Sequence, residues 1–249
     1  MTRLYTDDAE LYDIAFDWDI SNEVDWLVER LGRPASVLEP GCGSGRMLEA
    51  FVERGIDVAG IDLSPQMVEL ARQRLGGRGT VEVADMADFD LGRWFDGAVS
   101  PINTLLHLTP EQLARHLDCT ARHTPRYLVQ VGVVDRESYD PFAGSHWEAE
   151  RGETKLKVDW QDAELDFEGG ISRQRSRIEV LAGPRAGDVL DEIHDMTAWT
   201  PETWRAAIEA SPFEEVATYD GGFARDRWPE VGADATGGLL WHGLERRGT

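Results

Sequence analysis

At 249 residues, 41% hydrophobic and 29% charged, the chain has the composition of one globular α/β domain and excludes a disordered or fibrous protein. Its formal charge of −22, from 47 acidic against 25 basic residues, repels phosphate backbones and argues against nucleic acid as a partner. No apolar run reaches the roughly 20 residues that span a bilayer and the first residues lack a secretory apolar stretch, so a cytoplasmic protein off the membrane is expected.

Residues 5–31 carry helical periodicity through Leu11, Ile14, Ala15 and Trp18, then Val24, Leu27, Val28 and Leu31. Ala35 to Pro40 is a short apolar strand, followed by the glycine run Gly41, Gly43 and Gly45 and a helix from Arg46 to Arg54. The unit then repeats. Asp57 to Asp62 reads as a strand, and Ser64-Pro65 as an N-cap and first helical position of a helix ending at Gly76. Val81–Asp85, Phe95–Ser100 and Tyr127–Val133 are further strands, with a helix opening at Thr109 between the last two. Alternation of this kind predicts a parallel sheet covered by helices on both faces.

After about residue 140 the period changes to two over Lys155–Trp160, Ser172–Leu181 and Val189–Trp199, which predicts a three-stranded antiparallel insertion. His194 alternates with Ile193 and is expected on its solvent face. A helix from Thr200-Pro201 and strands Phe213–Tyr219 and Gly238–Leu244 complete the chain. The reading is one domain over 1–249, divided into a helical lid (1–32), a ligand-binding half (33–135), the insertion (140–199) and a final helix and strands (200–249).

The chemistry gathers at the carboxyl edge of the sheet. A strand, a glycine turn and a helix N-terminus can receive a nucleotide, since glycine lets backbone approach the ligand and the helix end offers N–H groups. Asp62 ends the second strand, where a carboxylate can accept both ribose hydroxyls, and Asp85, beside Met86, ends the third, where it can meet an adenine amino group. A dinucleotide fingerprint needs glycine at the sixth position from Gly41. Arg46 stands there instead, and Glu39 ahead of the loop repels a pyrophosphate while suiting a cationic amino group. Adenosine with a zwitterionic, sulfonium-bearing tail fits better. Cys42 reads as a small buried filler, and no histidine or cysteine spacing supports a metal site.

The segments Val37–Gly45, Gly60–Met67, Ala84–Met86 and Phe95–Ser100 resemble the sequential motifs of class I S-adenosylmethionine-dependent methyltransferases. The N-terminal segment around Tyr12 and the insertion resemble the small-molecule branch, which includes sugar-amine and glycine N-methyltransferases. That resemblance implies a Rossmann-like, seven-stranded, mostly parallel sheet with an N-terminal helical lid and an antiparallel insertion after strand five. It implies S-adenosyl-L-methionine as cofactor, S-adenosyl-L-homocysteine as product, and a small-molecule acceptor methylated on N or O. The implied cofactor residues are Tyr12, Glu39, Gly41, Gly43, Gly45, Arg46, Asp62, Leu63, Met67, Asp85, Met86 and Ser100. Residues beyond strand four face the transferred methyl in this family, which makes His107 and Asn103 the catalytic candidates and Thr104, with His146 and Trp147 of the insertion, the acceptor candidates. The turn Ser100-Pro101-Ile102-Asn103 departs from the signature of enzymes that methylate nucleobase or amide nitrogen. A protein that binds the cofactor as a partner or regulator, without turnover, is the alternative. The insertion also offers a surface for homo-oligomer formation.

Overall fold

The computed structural model describes residues 2–137, 139–140, 144–222, 227–232 and 237–248. In chain order the elements are α1 (Ala9–Ala15), α2 (Ser21–Arg30), β1 (Ser36–Pro40), α3 (Arg46–Glu53), β2 (Asp57–Asp62), α4 (Pro65–Leu75), β3 (Thr80–Val83), β4 (Gly97–Ser100), α5 (Pro110–Ala121) and β5 (Arg126–Val133). There follow β6 (Gly144–Arg151), β7 (Thr154–Asp166), β8 (Ile171–Ala182), β9 (Val189–Thr197), α6 (Pro201–Glu209), β10 (Phe213–Asp220), β11 (Glu230–Val231) and β12 (Gly238–Arg246). Single turns of 3₁₀ helix lie at Arg3–Tyr5 and Thr104–His107. The chain separates into two units, 19–138 with 199–249, and 1–18 with 139–198.

The larger unit holds a sheet in the order β11-β10-β12-β5-β4-β1-β2-β3. The five strands from β5 to β3 are parallel, and β12, β10 and β11 add to the β5 edge antiparallel. Seven strands match the sequence reading, and the two-residue β11 makes an eighth. Val37, Leu38, Val58, Ile61, Ala98, Val99, Val129 and Val131 are buried, as strands covered on both faces require. The strand order reverses between β1 and β4, the place in an open α/β sheet where ligands collect. The helices start where the sequence indicates. Ser64 Oγ accepts the Met67 N–H ahead of α4, and Thr109 and Thr200 form capping boxes on α5 and α6.

The periodic stretch 5–31 is not one helix. It breaks between Ala15 and Ser21, where Asp19 accepts the Ser21 N–H at 2.8 Å and starts α2 afresh. Short side chains of this kind offer the backbone an alternative to helix.

The smaller unit is built on a four-stranded antiparallel sheet, β6-β7-β8-β9, one strand more than the periodicity predicts. Leu156, Val158, Ile178, Val180, Leu190 and Met196 fill its inner face. His194 belongs there too: it is 3% exposed, lies 2.7 Å from Ser176 Oγ and stacks on Trp160, whereas Ile193 is 48% exposed. The expectation that His194 faces solvent is therefore reversed, because it shares its parity along β9 with Leu190 and Met196. The outer face carries both lysines, Lys155 and Lys157, together with Arg173, Arg175 and Arg177, each ion-paired to a carboxylate.

Candidate active site

Beyond Pro40 the chain turns through Gly41 (φ 74°), Gly43 (φ 52°) and Gly45 (φ 77°), all in the left-handed region that glycine enters freely. The turn is tied to the end of β2: the Gly41 and Cys42 amides donate to Ile61 O at 2.7 and 2.9 Å, and the Gly43 amide to Asp62 Oδ2 at 2.8 Å. Space as well as conformation demands glycine. A β-carbon on Gly41 would lie 2.5 Å from Thr104 Cγ2 and 3.3 Å from Met86 Sδ, so the loops after β1, β3 and β4 converge on this point. One on Gly45 would lie 2.9 Å from the Ala71 β-carbon, so Gly45 lets α3 approach α4. No side chain caps the N-terminus of α3, which leaves its first turn of amides to an anionic group.

Asp62 takes its second hydrogen bond from the Ser64 amide, at 2.8 Å to Oδ1. Burial pushes its pKa up and the two amide donors pull it down. The fixed carboxylate keeps lone pairs for further donors. Leu63 beside it is 56% exposed, an uncovered apolar side chain at the carboxyl edge of the sheet, while Met67, on the inner side of α4, is buried.

Glu39 is 3% exposed, and its Oε2 finds no hydrogen-bond partner among the described residues. Burial pushes its pKa well above the usual carboxylate range; the charge of Arg46 opposes this and that of Asp62 adds to it. Glu23, on α2, is likewise buried, and burial pushes it up to about 7 against the same arginine. An orphaned carboxyl oxygen next to a glycine turn and an uncapped helix fits a ligand carrying both an ammonium and a carboxylate.

Asp85 does not end β3, which stops at Val83. It sits in the following turn, with Oδ1 accepting the Ala87 amide at 2.8 Å. Met86 O lies 2.8 Å from His116 Nδ1, His116 Nε2 lies 2.8 Å from Tyr127 OH, and that hydroxyl lies 2.6 Å from Ser100 Oγ. Ser100 Oγ in turn lies 3.2 Å from Pro40 O. Burial pushes the His116 pKa down to about 4, so the ring is neutral and its single N–H goes to Met86 O. Ser100 is fully buried, and its hydroxyl braces the end of β1 through its bond to Pro40 O.

After β4, Thr104 Oγ1 donates to Pro101 O at 2.7 Å, and its methyl group covers Gly41. Asn103 Oδ1 accepts the Gly132 amide at 2.6 Å, which commits that oxygen to β5. His107 ends the 3₁₀ turn and is exposed.

Residues 37–125 match the family model described as "Methyltransferase domain". The dTDP-3-amino-3,4,6-trideoxy-alpha-D-glucopyranose N,N-dimethyltransferase of Streptomyces venezuelae is 34% identical over 220 residues, covering 82% of this chain and 89% of that protein. The chain is a class I S-adenosylmethionine-dependent methyltransferase. A dTDP-4-amino-2,3,4,6-tetradeoxy-D-glucose N,N-dimethyltransferase from Saccharopolyspora spinosa is 29% identical to this methyltransferase, over 82% of this chain and 84% of that one. Among solved structures, Streptomyces venezuelae DesVI superposes with a TM-score of 0.77 at 23% identity, covering 95% of this chain and 97% of that one. At that identity the likeness shows the fold alone.

The remaining sequence candidates of the methyltransferase lie in its smaller unit. Tyr12 stacks on Phe16 at 4.4 Å and meets Tyr5 edge-on at 5.5 Å. Trp147 donates its indole N–H to Ala15 O at 2.6 Å and packs against Phe16 and Trp18. His146 is exposed, with Nδ1 2.6 Å from Asp159 Oδ1. Neighbours on a strand point to opposite faces, so Trp147 packs against the N-terminal aromatics while His146 faces solvent. No metal-binding group of His, Cys, Asp or Glu occurs among the described residues. Among the buried polar residues of the larger unit, Glu23, His116 and Gln130 were not singled out by the sequence reading. His116 had a signal, since it shares one helical face of α5 with Leu113, Leu117 and Thr120, all buried.

Proposed function

We propose that the enzyme methylates the amino group of a nucleotide-linked amino sugar. The observation that carries this reading is the 34% identity, along most of both chains, to a dTDP-amino-sugar N,N-dimethyltransferase. When bound, S-adenosylmethionine supplies an electrophilic methyl group on sulfur. The chain's own residues hold and orient. Asp62 accepts the ribose hydroxyls, Leu63 with Asp85 and Met86 borders the adenine, and Gly41, Gly43 and Gly45 admit the ligand to the backbone. Glu39 receives the ammonium, steadied by the charge of Arg46, and the α3 N-terminus receives the carboxylate. Thr104 and His107 stand on the acceptor side, where His107 takes the proton that an amine gives up as it gains a methyl group. Aligning the nucleophile contributes more than that proton transfer, because the electrophile is already activated.

Ile171, Leu181, Val189 and Ile193, exposed on the outer face of the insertion, support self-association through that sheet. The absence of a long apolar helix among the described residues supports work in the cytoplasm.

The test is incubation with S-adenosylmethionine and a panel of dTDP-amino sugars, their hydroxyl counterparts and simple amines, read by mass spectrometry. One and then two added methyl groups on the amino sugars, with the hydroxyl counterparts untouched, is the expected result. Methylation of the hydroxyl counterparts or simple amines alone would overturn it.

A further inference from the structure

The turn after β4 holds an unusual backbone. Ile102 (φ 53°) and Asn103 (φ 59°) lie consecutively in the left-handed region, and the former is β-branched, the type that region suits least. Such a pair persists only where its surroundings over-determine it.

One residue does most of that. Gln130, on β5, is fully buried. Its Oε1 accepts the Ile102 amide at 2.6 Å and its main-chain oxygen accepts the Asn103 amide at 3.2 Å. Its Nε2 donates to Gly221 O at 2.6 Å, and Gly221 is fixed in turn by its own amide on Leu239 O at 2.8 Å. Asn103 adds its bond to the Gly132 amide, two residues along β5. The partners require the carboxamide in this one orientation, oxygen toward a donor and nitrogen toward an acceptor. An apolar side chain here would leave a buried N–H and a buried C=O without partners. An ionised carboxylate would set an oxygen against Gly221 O.

We propose that Gln130 is a positioning residue for methyl transfer: it holds Ile102 and Asn103 in the left-handed backbone and so fixes the 3₁₀ turn that carries Thr104 and His107. The proposal rests on the reading that this turn faces the acceptor. It explains why a strained turn is kept where a glycine would relieve it, since a residue that resists the conformation, held by Gln130, gives one geometry rather than several. It also predicts which kinetic constant suffers most, because the side-chain hydrogen bonds of Gln130 go to Ile102 and Gly221 and not to the glycine loop or Asp62.

The experiment compares wild-type enzyme with Gln130→Met, Gln130→Glu and Gln130→Met combined with Ile102→Gly, using any acceptor the wild type methylates. Cofactor affinity is read by titration calorimetry and turnover by steady-state kinetics. Gln130→Met should lower kcat roughly tenfold or more while the cofactor Kd stays within about twofold. Adding Ile102→Gly should restore much of that loss, because glycine adopts the turn without restraint. Gln130→Glu should lose kcat as pH rises, since only its protonated carboxyl can donate to Gly221 O, and this limb should be missing from the wild-type profile. Unchanged kcat in folded Gln130→Met, or kcat and cofactor affinity falling together, would overturn the proposal. Should Gln130→Met fail to fold, a Gln130→Glu pH profile identical to that of wild type would overturn it instead. Amide exchange needs no acceptor: Ile102 and Asn103 should exchange faster in Gln130→Met with Gly41–Gly45 unchanged, and uniform acceleration would count against the proposal. Failure of amino sugars in the panel would sink the acceptor reading and leave these comparisons intact.

Discussion

Glu39 is the residue in which burial, charge and ligand chemistry meet. Its carboxyl is 3% exposed with one oxygen unpartnered, and burial, with the charge of Asp62, raises its pKa over the opposing effect of Arg46. Without cofactor it therefore keeps its proton to a higher pH than an ordinary glutamate. An ammonium seated against it favours the ionised form, so binding should expel a proton. The sign follows: cofactor affinity should rise with pH until the carboxyl is ionised in the free enzyme, then level off. Calorimetry in buffers of differing ionisation enthalpy should detect the released proton, and Glu39→Gln should abolish both the release and the pH slope. A slope that survives in Glu39→Gln would assign it to another group. Part of this was visible in the sequence, because Glu39 precedes the glycine run. Its full burial was not, since a carboxylate that near the end of a strand is ordinarily expected to reach solvent.

At the level of elements, Gly45 shows how the glycine turn is also a packing device. Gly45→Ala puts a β-carbon 2.9 Å from the Ala71 β-carbon and 3.1 Å from its α-carbon, at φ 77°. Strain and overlap together should cost roughly 2 kcal/mol or more, read from urea unfolding. Combining it with Ala71→Gly should return part of that cost, since one contact is relieved while the backbone strain remains. Strict additivity of the two losses would mean that α3 and α4 do not meet there. The elements legible in the sequence are those with local punctuation: Ser64-Pro65, Thr109-Pro110 and Thr200-Pro201 each start a helix as read. The insertion was less legible for a physical reason. Apolar residues stand on both faces of β9, with Val189 and Ile193 exposed and Leu190 and Met196 buried, so a period of two marks the strand without saying which side is in. β6 escaped notice because Glu148, Glu150 and Arg151 give it the charged profile of an edge strand.

For the whole molecule, the parallel sheet followed from alternation along the sequence, whereas charge sets a behaviour that no single element shows. The formal charge is −22 with every basic residue already counted, and local ion pairs remain on the outer face of the insertion, where the side chains of Arg173, Arg175 and Arg177 are 41%, 46% and 39% exposed. Exposed pairs of this kind contribute little, and salt weakens them. Salt also weakens the mutual repulsion of the excess carboxylates, which acts over the whole surface. The Debye length falls from about 10 Å at 0.1 M to about 3 Å at 1 M, so most of this repulsion disappears over that range. Because a net charge of −22 acts over the whole surface and repulsion is greatest in the compact folded state, relief of repulsion should win. The thermal unfolding midpoint should therefore rise as KCl is increased from dilute buffer to about 1 M, most steeply at the low end where the screening length changes fastest. Sodium perchlorate, which screens equally well but does not strengthen apolar burial, separates charge from the hydrophobic effect: a rise at low concentration in both salts would assign it to screening. A midpoint that stays level or falls in both would mean that the outer-face pairs outweigh the net charge.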